Sequence, residues 1–199
     1  EEPPPMPDIV TVGGSPASPS RCAATLGHVR QDMAGRGFTT DAVEVRDLDP
    51  RGLVWARFDE PSIRAAVDAV QEARALVVAT PVYKAAYSGV LKLFLDLLPP
   101  GSLADKPVLP VTKAGSLAHC LALDYALKPV LAALGARHIL QGVCLLDSDF
   151  AYGPDGAVSA INPAAADRLH QAIDGFAQPL GQPQPLRLAP ADTLEEIPV

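Results

Sequence analysis

Short apolar runs alternate along this chain with longer stretches whose apolar positions recur every three to four residues. The runs are Ile9–Val12, Ala42–Val45, Ala75–Ala79, Val108–Val111 and Ile139–Leu145, and each predicts a strand. Ala75-Leu76-Val77-Val78-Ala79 has no polar alternation, which suits a strand covered on both faces. Pro110 predicts an irregularity in the fourth strand, or an N–H side left unpaired. Helical spacing runs from Ser20, as cap, to about Gly35, with Leu26, Val29 and Met33 on one face and Gly35 and Gly37 as stop signals. Further helices are predicted over Pro61–Ala73 (capped by Ser62 or Asp59), Ser88–Leu98 (stopped by Pro99-Pro100), Leu117–Leu134 and Pro163–Gln178. Arg46–Asp59, Thr80–Ala86 and Lys113–Ser116 read as loops.

Strands alternating with helices give an α/β fold with helices on both faces of a parallel sheet. Five such units in this length favour a flavodoxin-like three-layer sandwich, a five-stranded parallel sheet of order 2-1-3-4-5. That order places a crevice at the carboxyl ends of strands one and three, which are Gly13–Arg21 and Thr80–Tyr87. The domain is read as residues 8–178, between a Pro/Glu-rich tail at 1–7 and a proline-rich tail at 179–199. Met6 is a candidate natural start.

Composition narrows the function. A net charge of −7 and a pI near 5.0 argue against nucleic acid as a partner. No apolar run is long enough to span a bilayer, and the acidic N-terminus is unlike a signal peptide. Cys22, Cys120 and Cys144 are odd in number and form no close-pair motif, which points to a reducing compartment, the cytoplasm, and to no zinc site. His28, His138 and His170 are scattered and predict no metal cluster. Asp47, Asp49, Asp147, Asp149 and Glu195-Glu196 read as solvated loop acids, and Trp55 as packing.

Three loops carry candidate chemistry. Gly13-Gly14-Ser15-Pro16-Ala17-Ser18-Pro19-Ser20-Arg21 joins a strand to a helix start, where unpaired N–H groups and the positive dipole end suit an anion. Ser15, Ser18 and Ser20 add hydroxyls and Arg21 a forked permanent charge, a set suited to a phosphate monoester. The competing reading is an ordinary serine-capped turn. In Thr80–Gly89, Val82 and Tyr83 could face a flat ligand, or Tyr83 or Tyr87 could pack on the sheet. In Lys113–His119, Ser116 could cap a helix or donate to a ligand, and His119 reads first as a structural hydrogen-bonding residue, with proton donation open to it.

The chain also resembles a known family. The segments are Gly14-Ser15-Pro16, Pro19-Ser20-Arg21, Ala56-Arg57-Phe58-Asp59, Ala79 through Gly89, Leu91-Lys92, Leu95 through Pro99, Ala118-His119 and Asp124 through Leu131. They look like the NAD(P)H-dependent FMN reductases, and within them the sulfonate-assimilation branch that partners alkanesulfonate monooxygenase. The likeness runs from about Ile9 to Asp149. It implies FMN in the crevice, its phosphate on Ser15, Ser20 and Arg21, with Ser18 and His119 also placed among the cofactor-binding residues. It implies Pro81, Val82, Tyr83 and Lys84 along the isoalloxazine, and Gly115 and Ser116 closing the far edge. It implies a π-type bulge at Tyr125, near the flavin at the interface of a homotetramer. Ala17 stands where the family usually has Arg, Cys22 and Ala23 replace serines, and Lys113-Ala114 replaces a Thr-Gly pair.

The implied reaction is hydride transfer from NADPH or NADH to FMN, with reduced FMN passed to a flavin-dependent monooxygenase. No side chain is needed as acid or base, because the cofactors carry the chemistry. The alternatives are a flavodoxin-like electron carrier and an FMN-dependent quinone or azo reductase on the same fold.

Overall fold

A computed structural model describes residues 7–183; the tail residues 1–6, with Met6, and 184–199, with Glu195-Glu196, lie outside it. The central strand, β1 (Ile9–Gly13), is buried at every position. It pairs in parallel with β2 (Thr40–Glu44) on one side, Ile9 opposite Thr40. On the other side lies β3 (Ala75–Tyr83), with Ile9 opposite Ala75. β3 runs past the predicted strand end, turns at Lys84-Ala85 and returns antiparallel as β4 (Ala86–Tyr87). The expected loop is therefore a hairpin, and both turn residues have positive φ (50° and 63°), the geometry that continues the twist of two paired strands.

Beyond β3 lies β5 (Pro107–Ala114), and its outer edge is shared by β6 (His138–Ile139) and β7 (Val143–Leu146). The main-sheet order β2-β1-β3-β5-β6/β7 matches the expected 2-1-3-4-5, with the fifth position split. The split has a local cause. Val108 accepts the Leu140 N–H from this edge at 2.9 Å, so the nitrogen of Pro110, two residues on, faces the same edge with no hydrogen to give. The chain breaks its ladder there through Gly142, at φ +83°, where a Cβ would lie 2.5 Å from the Pro110 carbonyl oxygen.

Side chains alternate across the sheet into two cores. Val10, Val12, Leu76, Val78 and Val108 pack under α3 (Pro61–Glu72), α4 (Gly89–Leu95) and α5 (Lys128–Ala133). Ile9, Ala75, Val77, Ala79, Leu109 and Val111 pack under α1 (Arg21–Gly35) and α6 (Pro163–Ala177). Leu26, Val29 and Met33 form the buried stripe of α1, as their spacing requires. Phe94 and Phe176 are fully buried, one in each layer, and each contributes roughly 2–3 kcal/mol of burial.

Several local expectations change. The cap of α3 is Glu60, whose carboxylate accepts the Ile63 N–H at 3.0 Å, rather than Ser62 or Asp59. The stretch read as a loop over Arg46–Asp59 holds a 3-10 turn (Val45–Asp47) and α2 (Pro50–Val54), with Asp49 capping the helix rather than standing in solvent. Trp55 is 65% exposed beside the Arg51 guanidinium, not packed. Leu117–Leu134 is not one α-helix: a 3-10 turn (Leu117–Leu121), a π-helical turn (Leu123–Leu127) and α5 follow one another. Its π turn holds Tyr125, which is 79% exposed.

Cys120 and Cys144 are joined by a disulfide, which removes the basis for reading a reducing compartment from the cysteines. The 3-10 turn brings Cys120 back onto β7, a proximity that a sequence separation of 24 conceals. His28 and His170 are not apart either; their Nε2 atoms lie 3.1 Å from each other between α1 and α6. Asp149 is buried, accepting from the Leu146 N–H, Asn162 and Arg168, and it anchors a hairpin of β8 (Phe150–Tyr152) and β9 (Val158–Ile161) that the apolar pattern does not predict. Leu180, placed by the sequence reading in the tail, is buried, and its carbonyl accepts from Arg74 at 2.6 Å.

Candidate functional site

The carboxyl ends of β1, β3 and β5 lie side by side, and the chain leaves each in a short turn. After β1, the Gly14 N–H donates to the Ala79 carbonyl of β3 at 2.8 Å. Gly14 has no room for a side chain: a Cβ would lie 2.6 Å from that of Leu91 on α4. Ser88, the α4 cap, accepts the Leu91 N–H at 3.1 Å and donates to the Gly14 carbonyl. Its own N–H donates to Thr80 Oγ1 at 3.0 Å. A buried hydroxyl thus ties the first loop to the hairpin that follows β3.

The first loop then opens onto a cavity of about 170 Å³. Ser15 and Ser20 are buried in its wall, and Arg21 stands at the mouth of α1. Ser15 Oγ accepts the Ala17 N–H at 3.2 Å and Ser20 Oγ accepts the Ala23 N–H at 3.3 Å, so both hydroxyls are oriented with their protons free to turn outward. The first turn of α1 leaves the Arg21 and Cys22 N–H groups without intrahelical acceptors. Cys22 also lines the cavity, but burial pushes its thiol up to about 12, so it stays a neutral wall. Pro81 and Tyr83 close one side, and Tyr152, Gly156 and Val158 of the β8–β9 hairpin close another.

Of the residues expected here, Ser15, Ser20, Arg21, Pro81 and Tyr83 share this cavity. Ser18 is exposed and is not in its wall. Val82 and Lys84 belong to the adjacent β3–β4 hairpin. Gly115, Ser116 and His119 lie together past β5, where Ser116 Oγ and His119 Nδ1 are 3.4 Å apart. Ser116 makes no capping hydrogen bond there. His119 and Tyr125 instead border a second depression with Ala85, Leu121 and Ala122.

Sequence reading missed three residues. Lys113 belongs to β5, not to a loop, because its strand pairs with β3 and β7 to the end; its side chain, only 16% exposed, enters the cavity. Tyr152 reaches it from a hairpin without a sequence signal and accepts a hydrogen bond from Arg21 Nε. Asp147, read as a solvated acid, binds Arg21 Nη1 at 2.6 Å and Lys113 Nζ at 2.5 Å. Nearby, burial raises the Glu44 carboxyl at the end of β2, and its Oε2 is buried with no partner.

Two hydroxyls, two cations and a helix N-terminus around one small cavity are a donor set fitted to a phosphate monoester. The exposed Tyr83 beside it supplies an aromatic surface for whatever the phosphate carries. The class is thus a doubly wound α/β protein with a crevice at its switch point whose donors suit a phosphate.

Comparisons define the family. The family model of the NADPH-dependent FMN reductases matches residues 7–151. The FMN reductase (NADPH) of Pseudomonas putida is 45% identical over 168 residues, covering 84% of this chain and 85% of that protein. That of Escherichia coli is 43% identical over 175 residues, covering 86% and 89%. Among solved structures, the apo form of NADH:FMN oxidoreductase (EmoB) superposes with a TM-score of 0.81 at 37% identity, covering 95% of this chain and 99% of that one. This chain belongs to the NADPH-dependent FMN reductase family, and is an oxidoreductase working with FMN and a reduced nicotinamide.

Proposed function

We propose that the protein reduces FMN as a diffusible substrate and hands it to a flavin-dependent monooxygenase of sulfur assimilation. The observation that carries the reading is the convergence of Ser15, Ser20, Arg21 and Lys113 on one small cavity, a grip for a single terminal phosphate. When bound, FMN and the nicotinamide supply the hydride transfer between them. Arg21, Lys113 and the first-turn N–H groups of α1 hold the phosphate, and Ser15 and Ser20 add hydroxyl donors. Ser18, exposed on the same loop, is a further cofactor-binding hydroxyl. Pro81 and Val82, with Tyr83 and Lys84, form the wall for the isoalloxazine, and Gly115, Ser116 and His119 border its far edge. One open face is left for the nicotinamide, so orientation replaces acid–base help.

More distant relatives are FMN reductases named for NADH. NADH-dependent FMN reductase SfnF of Pseudomonas fluorescens is 32% identical over 146 residues, and SfnE of Pseudomonas putida is 30% identical over 165 residues. Leu117, Leu121 and Tyr125, all strongly exposed on successive turns, are the face through which we assign a homotetramer. No helix among the described residues is long and apolar enough to cross a membrane.

The test is NADPH and NADH oxidation with FMN, FAD and riboflavin in parallel. FMN turnover well above riboflavin turnover supports the reading. A protein that keeps FMN through gel filtration and does not turn over added FMN is an electron carrier, and the proposal fails.

A further inference from the structure

We infer that Asp147 is a counter-anion built into the phosphate cradle, and that it sets the affinity for FMN by competing with the flavin's phosphate for Arg21 and Lys113. The inference rests on the reading of the cradle given above.

Three separate elements meet at one carboxylate oxygen. Asp147 Oδ1 is 2.6 Å from Arg21 Nη1, in the first turn of α1, and 2.5 Å from Lys113 Nζ, near the end of β5. Asp147 itself opens the turn after β7. The cations are the better buried partners, at 16% and 34% side-chain exposure against 47% for Asp147, so the carboxylate reaches in from the solvent side. Tyr152 fixes Arg21 from another direction, with the guanidinium carbon 5.5 Å from the ring centre. Asp147 is not what holds its own turn. That work falls to Asp149, which accepts from Leu146, Asn162 and Arg168. Among the described residues, the Asp147 side chain is spent on the two cations alone.

The electrostatic consequence is direct. A phosphate monoester brings about −1.5 to −2 charges at neutral pH. Two free cations would meet it with a charge of +2; with Asp147 among them the cluster carries +1. A phosphate must displace the carboxylate or share the cations with it, and in both cases it gains less than it would from an open pair. The loss falls on the phosphate and not on the ring, so it weakens FMN without touching riboflavin. Reduced FMN carries the same phosphate, and a weaker hold hastens its departure to a consumer. The cations still attract the anion from a distance, which keeps capture fast.

The experiment is titration of the full chain with FMN and with riboflavin, following flavin fluorescence, for the unsubstituted protein and Asp147→Asn. The expected result is FMN binding about tenfold tighter in Asp147→Asn, equivalent to about 1.4 kcal/mol, with slower dissociation and riboflavin binding unchanged. Asp147→Ser serves the same purpose if the Asn variant does not fold. In a Lys113→Met background the Asp147→Asn gain should shrink severalfold, because one of the contested cations is gone. Unchanged or weaker FMN binding in Asp147→Asn overturns the inference and makes Asp147 a positioning residue for the two cations. Equal tightening of riboflavin overturns it too. Equal affinity of the unsubstituted protein for FMN and riboflavin overturns the cradle reading itself, which the other outcomes leave standing.

Discussion

The Ser88 hydroxyl donates to the Gly14 carbonyl across 74 positions of sequence, both groups buried. It is the same hydroxyl that caps α4, so one oxygen starts a helix and fixes the loop that follows β1. Ser88→Ala removes a cap and leaves a buried carbonyl unpaired. We expect a loss of about 2 kcal/mol in urea unfolding. Ser88→Thr should recover part of it, and FMN affinity should fall in Ser88→Ala because the loop loses its anchor.

Arg21→Met and Lys113→Met each remove one charge-assisted contact to a phosphate. Each should weaken FMN binding by about tenfold or more and leave riboflavin nearly unchanged. Binding titrations with both flavins check this. A fall in both flavins alike would mean that the side chains support the crevice rather than hold the phosphate.

Asp8 contributes to the acid limb of stability. Burial alone would raise its carboxyl, but hydrogen bonds from Arg74 and Thr39 outweigh burial and hold it below the ordinary value of 3.8. A depressed folded pKa adds stability above the unfolded value, and that stability is lost as pH falls from about 3.8 through the lower folded value. Asp8→Asn should lower stability at neutral pH and flatten its decline below pH ~4. Urea midpoints across an acid pH series read both effects.

The Lys84-Ala85 turn holds two side-chain-bearing residues at positive φ. Ala85→Gly should stabilise the protein by about 1 kcal/mol, since glycine carries no Cβ penalty there. Ala85→Val should destabilise it by at least as much. Thermal or urea unfolding decides, and steady-state kinetics shows whether the relaxed turn costs turnover.

What the sequence determined by itself was the layering and the strand order. Ala75–Ala79, a run without polar alternation, suited a strand covered on both faces, and the alternation of runs with helical stretches favoured a parallel sheet whose first and third strands end together. Ser20 as the cap of α1, and the gathering of small and hydroxyl residues at that helix start, were legible for the same reason: cap and loop chemistry is local, and local interactions leave their signature in neighbouring residues. The family likeness reached further and implied the π turn that Tyr125 occupies.

Contacts between distant segments were decided only in three dimensions. Lys113 read as a loop residue, Asp147 as a solvated acid, and Tyr152 carried no signal at all; they meet at Arg21 because β5, the turn after β7 and a late hairpin converge there. Cys120 and Cys144 looked unrelated until the 3-10 turn laid one against the strand of the other. Pro110 announced an irregularity, but the break appeared in the neighbouring strand, where the missing hydrogen was needed. Periodicity records which side of an element is buried. It holds no record of which charged groups from other elements share that burial, and in this cradle that sharing sets the charge a phosphate would meet.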